Sequence, residues 1–273
     1  MNNATKTAPK PRLGEMELRV LSFTQARRIT VARTGELRGP LSLSAAQERE
    51  VLSRLARAGT IVRLKREVYL LPARLPVGGV WTVNPHLILA ELMRASNDGQ
   101  YQLCGWETFR AYGFTDQVSN RLYVYNNRIS GDRTIGGHAF TFIKVTNERL
   151  GGVEPSTTAE GTMIRTPSIA RALLDAVYDC SRFDTLPAAY KWIRTAARKD
   201  PSLVKALATV AWQFGNQGTI RRLGFVLSGL GLSTAGQRRL RGALRSAESL
   251  VPLVPRVPAR GRLDTTWGVI VNE

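Results

Sequence analysis

The stretch from Ser44 to Pro72 does most to narrow what this chain can fold into. Ser44 and Gln47, three residues apart, have the pattern of a capping box, in which each side chain satisfies a backbone amide at a helix start. The helix they open runs from Ala45 to Ala58 and stops at Gly59. At 100° per residue, Val51, Leu52, Leu55 and Ala58 fall on one side, and Arg49, Ser53 and Arg57 fall opposite, with Ala46 and Glu50 at the margins. TIVRL, a basic tip of Lys65, Arg66 and Glu67, and VYLLP follow. They read as two short alternating strands ended by Pro72.

Upstream, Glu15 to Arg28 places Met16, Val20, Phe23 and Ala26 or Arg27 at three- and four-residue steps, a helix closed by the basic pair Arg27-Arg28. A short element follows around Val31 to Leu37, broken by Gly35 and by Gly39-Pro40. Helix, short helix, helix and hairpin is the order of a winged helix-turn-helix. A helix whose outer face is Arg49, Ser53 and Arg57 suits the major groove, where Arg reads guanine edges and Ser serves either base type. Ser44, Gln47 and Arg63 join them as candidate DNA-contacting residues, and Lys65 and Arg66 at the wing tip are expected to touch phosphates. Glu67 departs from the pattern, because glycine is usual there and the carboxylate brings negative charge beside the tip.

The charge distribution supports a polyanionic partner. The 273-residue chain carries +18, of which +9 falls on residues 1–80, −1 on 81–180 and +10 on 181–273. Two basic ends thus flank a neutral middle. Hydrophobic residues at 43% and charged residues at 22% are those of a folded protein, so wholesale disorder, collagen and coiled coil are excluded. With no run of about 18 apolar residues and no apolar signal core, the expectation is a cytoplasmic protein with no membrane partner.

The expected organisation is α+β. Residues 1–14 form a flexible arm carrying Lys6, Lys10 and Arg12, residues 15–80 the winged helix-turn-helix, and residues 81–273 a C-terminal domain. Within the last, a small mixed sheet is expected over 81–166, a helical bundle over 167–250 and a tail strand over 263–273. Pro85 to Ala95 reads as a helix after Asn84, and Tyr101 to Tyr112 as a strand piece and a helix stopped at Gly113. Arg121 to Asn126 and Ala139 to Val145 read as strands joined by turn residues, and Thr162 to Arg165 as a further strand. Thr166-Pro167 is expected to cap a helix Ser168 to Tyr178 with Ile169, Leu173, Leu174 and Val177 buried. Asp200-Pro201 starts another, Leu223, Val226, Leu227 and Leu230 line a third, and Leu240 and Leu244 a fourth. On that last helix Arg238, Arg241 and Arg245 make a basic ridge with Arg239 offset, and Arg221 and Arg222 extend it to a second basic surface.

AGTIVRLKREVYLLP, QYQLCGWETFRAYGFTDQ, RLYVYNN, GGHAFTFIKV, TPSIARALLDAVYD, IRRLGFVLSGLG and TTWGVIVN, in this order, resemble the AbiEi-type antitoxin family of type IV toxin-antitoxin systems. The resemblance runs from about residue 15 to the end; none of its pieces is a catalytic signature, and order and spacing carry it. It implies an N-terminal winged helix-turn-helix that binds inverted repeats of double-stranded DNA in its own promoter, a C-terminal antitoxin domain, and a role in phage defence. The implied counterpart is a nucleotidyltransferase-like toxin encoded next door, opposed without a stable complex.

No catalytic constellation or cofactor motif accompanies these features, and the chain is not expected to be an enzyme. There is no GxxxxGK[ST], and Gly229-x-Gly231 ends a helix and follows no strand. Lys144 has Phe142 where a nuclease of the PD-(D/E)xK type needs an acid. Asp175 and Asp179 read as solvent-facing or helix-packing, Cys104 and Cys180 as buried thiols, and His86 and His138 lack metal-ligand spacing. The alternative function is a single-component winged-helix regulator whose C-terminal domain senses a ligand or dimerises.

Overall fold

In the computed structural model, which describes residues 13–75, 80–158, 161–245 and 250–272, the chain divides into two compact units. The basic residues Lys6, Lys10 and Arg12 of the N-terminal arm lie outside the described residues. The architecture is α+β. The first unit holds residues up to Gly99 together with Arg133–Ala139 and Ala159–Thr162; the second holds the rest.

The first unit runs α1 (Glu15–Ala26), β1 (Val31–Arg33), α2 (Arg38–Leu41), α3 (Ala45–Arg57), β2 (Val62–Lys65), β3 (Val68–Leu70) and α4 (Pro85–Ala95). The capping box at the start of α3 forms as its residues dictate: the Ser44 hydroxyl accepts the Gln47 amide and the Gln47 side-chain carbonyl accepts the Ser44 amide at 2.8 Å. Strand β1 completes a three-stranded sheet in the order β1-β3-β2, both pairings antiparallel, with Val31 and Val62 flanking Leu70. Val20, Leu21, Leu37, Val51, Leu52, Leu55 and Ile61 make the core beneath. The compact unit extends past residue 80, where sequence placed the domain boundary, because α4 packs its apolar face (Ile88, Leu89, Leu92) toward the β2–β3 hairpin.

One buried carboxylate ties this unit together. Glu48, with no exposed surface, accepts the Gly35 amide at 2.7 Å, the Leu37 amide at 3.0 Å and the Arg38 guanidinium at 3.0 Å. It thereby fastens the turn between β1 and α2 to the middle of α3. A carboxylate removed from water is tolerated only when donors replace its hydration, and three do so here. Replacing Glu48 with Gln turns one acceptor into a donor facing these donors. The expected result is a loss of about 1 to 3 kcal/mol in unfolding free energy, read as an earlier urea midpoint.

The second unit begins with β4 (Tyr101–Cys104), α5 (Trp106–Ala111) and β5 (Arg121–Asn126); next in the chain come β6 (Gly131–Ile135) and β7 (His138–Lys144), of which Arg133–Ala139 counts with the first unit, and then β8 (Val153–Thr157) and β9 (Met163–Pro167). The strands form a four-stranded sheet in the order β4-β5-β7-β6 and a separate antiparallel pair, β8-β9. Strand β6 lies in what sequence gave as a turn-rich connection, because GDRTI is mostly exposed and polar and has no apolar alternation to announce it. Thr166 and Pro167 end β9, and the helix cap is Ser168, whose hydroxyl accepts the Arg171 amide.

Helix α6 (Ile169–Tyr178) is the centre of the second unit, followed by α7 (Cys180–Phe183), α8 (Ala188–Lys199), α9 (Ser202–Phe214), α10 (Gln217–Ser228) and α11 (Thr234–Gly242). Residues 170–177 are buried without interruption, including two charged ones. Asp175, expected at the solvent or between helices as a plain polar residue, is enclosed by Arg149 and Arg171: both guanidiniums donate to its Oδ1, that of Arg171 at 3.0 Å. Arg171 also donates to the carbonyls of Gly151 and Arg149, and its guanidinium lies 4.5 Å from the Phe214 ring centre. Arg149 lies between the rings of Tyr125 and Tyr178, 5.0 and 4.0 Å from their centres. Burial pushes the Asp175 carboxyl up to about 6 against the pull of Arg149. Asp179 is half-buried and accepts the Tyr125 hydroxyl at 2.6 Å. Asp175→Asn leaves two buried guanidiniums uncompensated and is expected to cost about 3 to 5 kcal/mol, measured by denaturant unfolding. A loss under about 1 kcal/mol would show that the two arginines do not need the charge.

The chain closes with β10 (Val251–Pro252), β11 (Arg262–Asp264) and β12 (Val269–Val271), a sheet in the order β10-β12-β11. Only the last was expected. Trp267 is buried against Gly224 of α10, where a Cβ would fall 2.3 Å from the indole, so only glycine admits that approach. Tyr190 donates to Leu253 O at 2.7 Å, and the Asn272 amide binds the backbone of Val254 and Val257. Cys104 is buried as expected, whereas Cys180 is only half-buried; Ile169, expected in the buried stripe, is 37% exposed.

Candidate nucleic-acid interface

The outer face of α3 is free in this unit because its inner face is fully used. Glu48, Val51, Leu52 and Leu55 follow one another at the steps of a helical stripe and are all buried. Arg49, Ser53 and Arg57, four residues apart, therefore lie together on the exposed side and span about 12 Å along the axis. Arg49 donates its Nε–H to Ala45 O at 3.1 Å, which leaves the rest of its fork directed outward. Arg54, the neighbouring cation, is held between Glu17 of α1 at 2.7 Å and Glu50 at 3.1 Å. The stripe that reads outward is thus arginine, serine and arginine, flanked by a neutralised pair.

Ser44 and Gln47 sit at the exposed start of the same helix, but their capping interactions occupy the Ser44 hydroxyl and the Gln47 carbonyl oxygen. What remains of Gln47 is its side-chain NH2. Arg63 is exposed on β2 between buried Val62 and Leu64. Arg66 is 88% exposed at the hairpin tip, 3.7 Å from the Glu67 carboxylate. Glu67 adopts φ 62°, the left-handed conformation that favours glycine, so the backbone there takes the shape expected of the turn despite its residue. Lys65 differs from expectation: it is half-buried, and its ammonium donates to the Ala95 carbonyl at the end of α4. The structure gives it a role in joining the hairpin to α4, since an ammonium at a helix C-terminus satisfies an open carbonyl.

The second basic surface is smaller than the sequence suggests. Arg221 is buried and donates to Trp267 O at 2.9 Å, and Arg222 donates to Pro252 O at 3.0 Å. Both arginines hold the C-terminal sheet on α10 and leave the expected surface. Arg238, Arg239 and Arg241 are exposed on α11, Arg245 lies exposed beyond its end, and Arg239 stacks 3.9 Å from the Trp212 ring centre.

Sequence reasoning missed Glu48 as a determinant of this interface. Its signal was present: an acid three residues before Val51 and four before Leu52 lies on the apolar stripe, where a charge is unexpected unless donors meet it. Among the described residues no group of three or more His, Cys, Asp and Glu is placed to hold a metal. No helix among them is long and apolar enough to cross a membrane.

Residues 19–72, from within α1 to the end of the wing, match the family model described as transcriptional regulator, AbiEi antitoxin. No curated protein matches the chain. Among solved structures, the crystal structure of the RV2827C protein from Mycobacterium tuberculosis is similar with a TM-score of 0.57 at 13% identity, covering 96% of this chain and 94% of that one. At that identity the likeness speaks for the fold.

If the α3 face reads bases, Arg57→Ala or Arg49→Ala should cost about 1 to 3 kcal/mol on a preferred site and relax specificity there. Arg66→Ala should weaken all sequences alike and flatten the salt dependence by about one charge. Lys65→Ala should lower stability more than DNA affinity. Gel-shift titrations at two salt concentrations, with a thermal melt of each variant, separate these outcomes. Equal loss on specific and random DNA would make Arg49 and Arg57 phosphate contacts.

Proposed function

We propose that this chain is the antitoxin of a type IV toxin-antitoxin system and the repressor of its own promoter, acting in phage defence. The observation that carries the reading is the exposed stripe of Arg49, Ser53 and Arg57 on a helix inside the segment that matches AbiEi antitoxin regulators. Such a face, backed by a rigid core and flanked by Arg63 and Arg66, suits insertion in the major groove with phosphate contacts from the wing. Inverted repeats in its own promoter are the operator that the resemblance to AbiEi-type antitoxins implies. The counterpart is a nucleotidyltransferase-like toxin, opposed without a stable complex by the part of the chain from residue 81 on. The reading is of a cytoplasmic, non-enzymatic protein.

Two measurements test it with the full chain. Footprinting on the upstream region of its own gene should protect paired half-sites, and Arg49→Ala/Arg57→Ala should abolish the protection. Co-expression with the adjacent gene should restore growth, and the same double variant should still restore it when expressed from an unrelated promoter. Protection without any rescue would favour a single-component regulator. Rescue lost together with DNA binding would deny the separation of the two roles.

A further inference from the structure

We infer that the second unit carries a nucleotide site in the cavity between the end of α5, the start of α6, and helices α8 and α9. The cavity measures about 280 Å³, close to the lower end of the range for small-molecule pockets. Its base is apolar: Ile169, Ala196 and Leu203. Ile169 is the one exposed aliphatic side chain of an otherwise buried helix, and it opens into this space.

One wall is aromatic. The rings of Phe114 and Trp192 are stacked, with centres 5.7 Å apart and planes 10° from parallel, and Tyr112 lies 6.0 Å from Phe114. Their backing is firm: Trp192 packs on buried Phe109, and the Tyr112 hydroxyl donates to Pro167 O at 2.6 Å. All three rings are half-buried, so they present surface to the cavity while the core holds them in place. A pre-set aromatic wall accepts a planar ring by stacking, without a demand for a particular base.

The rim is cationic. Lys191, Thr195 and Lys199 occupy one exposed edge of α8 at four-residue steps, about 12 Å from first to last. Neither lysine has a hydrogen bond or ion pair among the described residues. Helix α8 carries four cations and no carboxylate. The acid beside the cavity, Asp200, accepts the Ser202 amide at 3.0 Å and so helps to start α9. An apolar slot alone would take any hydrophobic group, and two unpaired lysines alone would take any anion. Aromatic wall and lysine rim together select a flat ring joined to a phosphate, the chemistry shared by a free nucleotide and the end of a single strand.

The test titrates the full chain with adenosine monophosphate, adenosine, inorganic phosphate and a six-nucleotide single-stranded RNA, by calorimetry. Adenosine monophosphate should bind about tenfold more tightly than either adenosine or phosphate, because only it engages both wall and rim. Lys191→Ala/Lys199→Ala, whose side chains lie on an exposed rim, should remove most of that advantage while leaving the melting temperature unchanged. Trp192→Leu should weaken adenosine as well; if it fails to fold, the lysine pair still decides. RNA bound more tightly than the mononucleotide, with the same lysine dependence, identifies the end of a strand as the ligand; the reverse order identifies the free nucleotide. Adenosine monophosphate bound no better than phosphate, or equally well by the lysine variant, overturns the site. RNA binding indifferent to the lysines, without mononucleotide binding, overturns it too.

Discussion

Everything the first unit presents to a partner depends on how Glu48 is satisfied. A carboxylate with no access to water has to be met by donors, and here two backbone amides and one guanidinium come from Gly35, Leu37 and Arg38, just after β1. The contact fixes the turn before α2, and with it the entry of the chain into α3. Because Glu48 shares the inner stripe with Val51, Leu52 and Leu55, its burial also sets the rotation of α3 about its axis. A different rotation would turn Arg49 and Arg57 toward the core. The outward face is therefore a consequence of an inward hydrogen-bond cluster.

The second unit uses the same chemistry with the signs reversed in number. One carboxylate, Asp175, faces two guanidiniums, and the excess positive charge is spread onto Tyr125, Tyr178 and Phe214 rings and onto backbone carbonyls. Through Arg149 and Arg171 the cluster ties α6 to the irregular segment around residues 149–151. The surrounding helices can then pack apolar faces on α6 from several sides. The cavity flanked by Lys191 and Lys199 lies at the margin of this arrangement, where Ile169 is the first residue of α6 to leave the packed core.

Local features were legible because their physics is local. The capping box of Ser44 and Gln47, the helix start at Asn84 and Pro85, and the hairpin with its turn at Arg66 and Glu67 each involve a few neighbouring residues, and each stands where sequence places it. Glu67 is instructive: the turn geometry prevails over the preference of its residue, since two paired strands fix its φ. Arginine was the poorest guide. Arg221 and Arg222 look like surface cations on a helix, yet they donate to the carbonyls of Trp267, in the turn before β12, and of Pro252 in β10, forty-six and thirty residues away. Lys65 likewise looks like a wing tip and binds a carbonyl thirty residues on. Strands β6 and β11 show no alternation because they are mostly exposed, and β10 shows none because it is two residues long; their partners supply the pairing.

By itself, then, the sequence determined the α+β class, the helix-helix-wing order of the first unit, the apolar faces of the main helices and the excess of positive charge. Those properties follow from periodicity, capping and composition, which act over one or two turns of chain. Only the tertiary structure decided which charges remain outside. A guanidinium or carboxylate has no intrinsic inside or outside; its place depends on whether distant donors and acceptors replace the water it loses. That condition retained Arg49, Arg57 and Arg66 on the surface, drew Glu48, Asp175, Arg171 and Arg221 into the interior, and left Lys191 and Lys199 at the rim of an aromatic cavity that no local pattern announced.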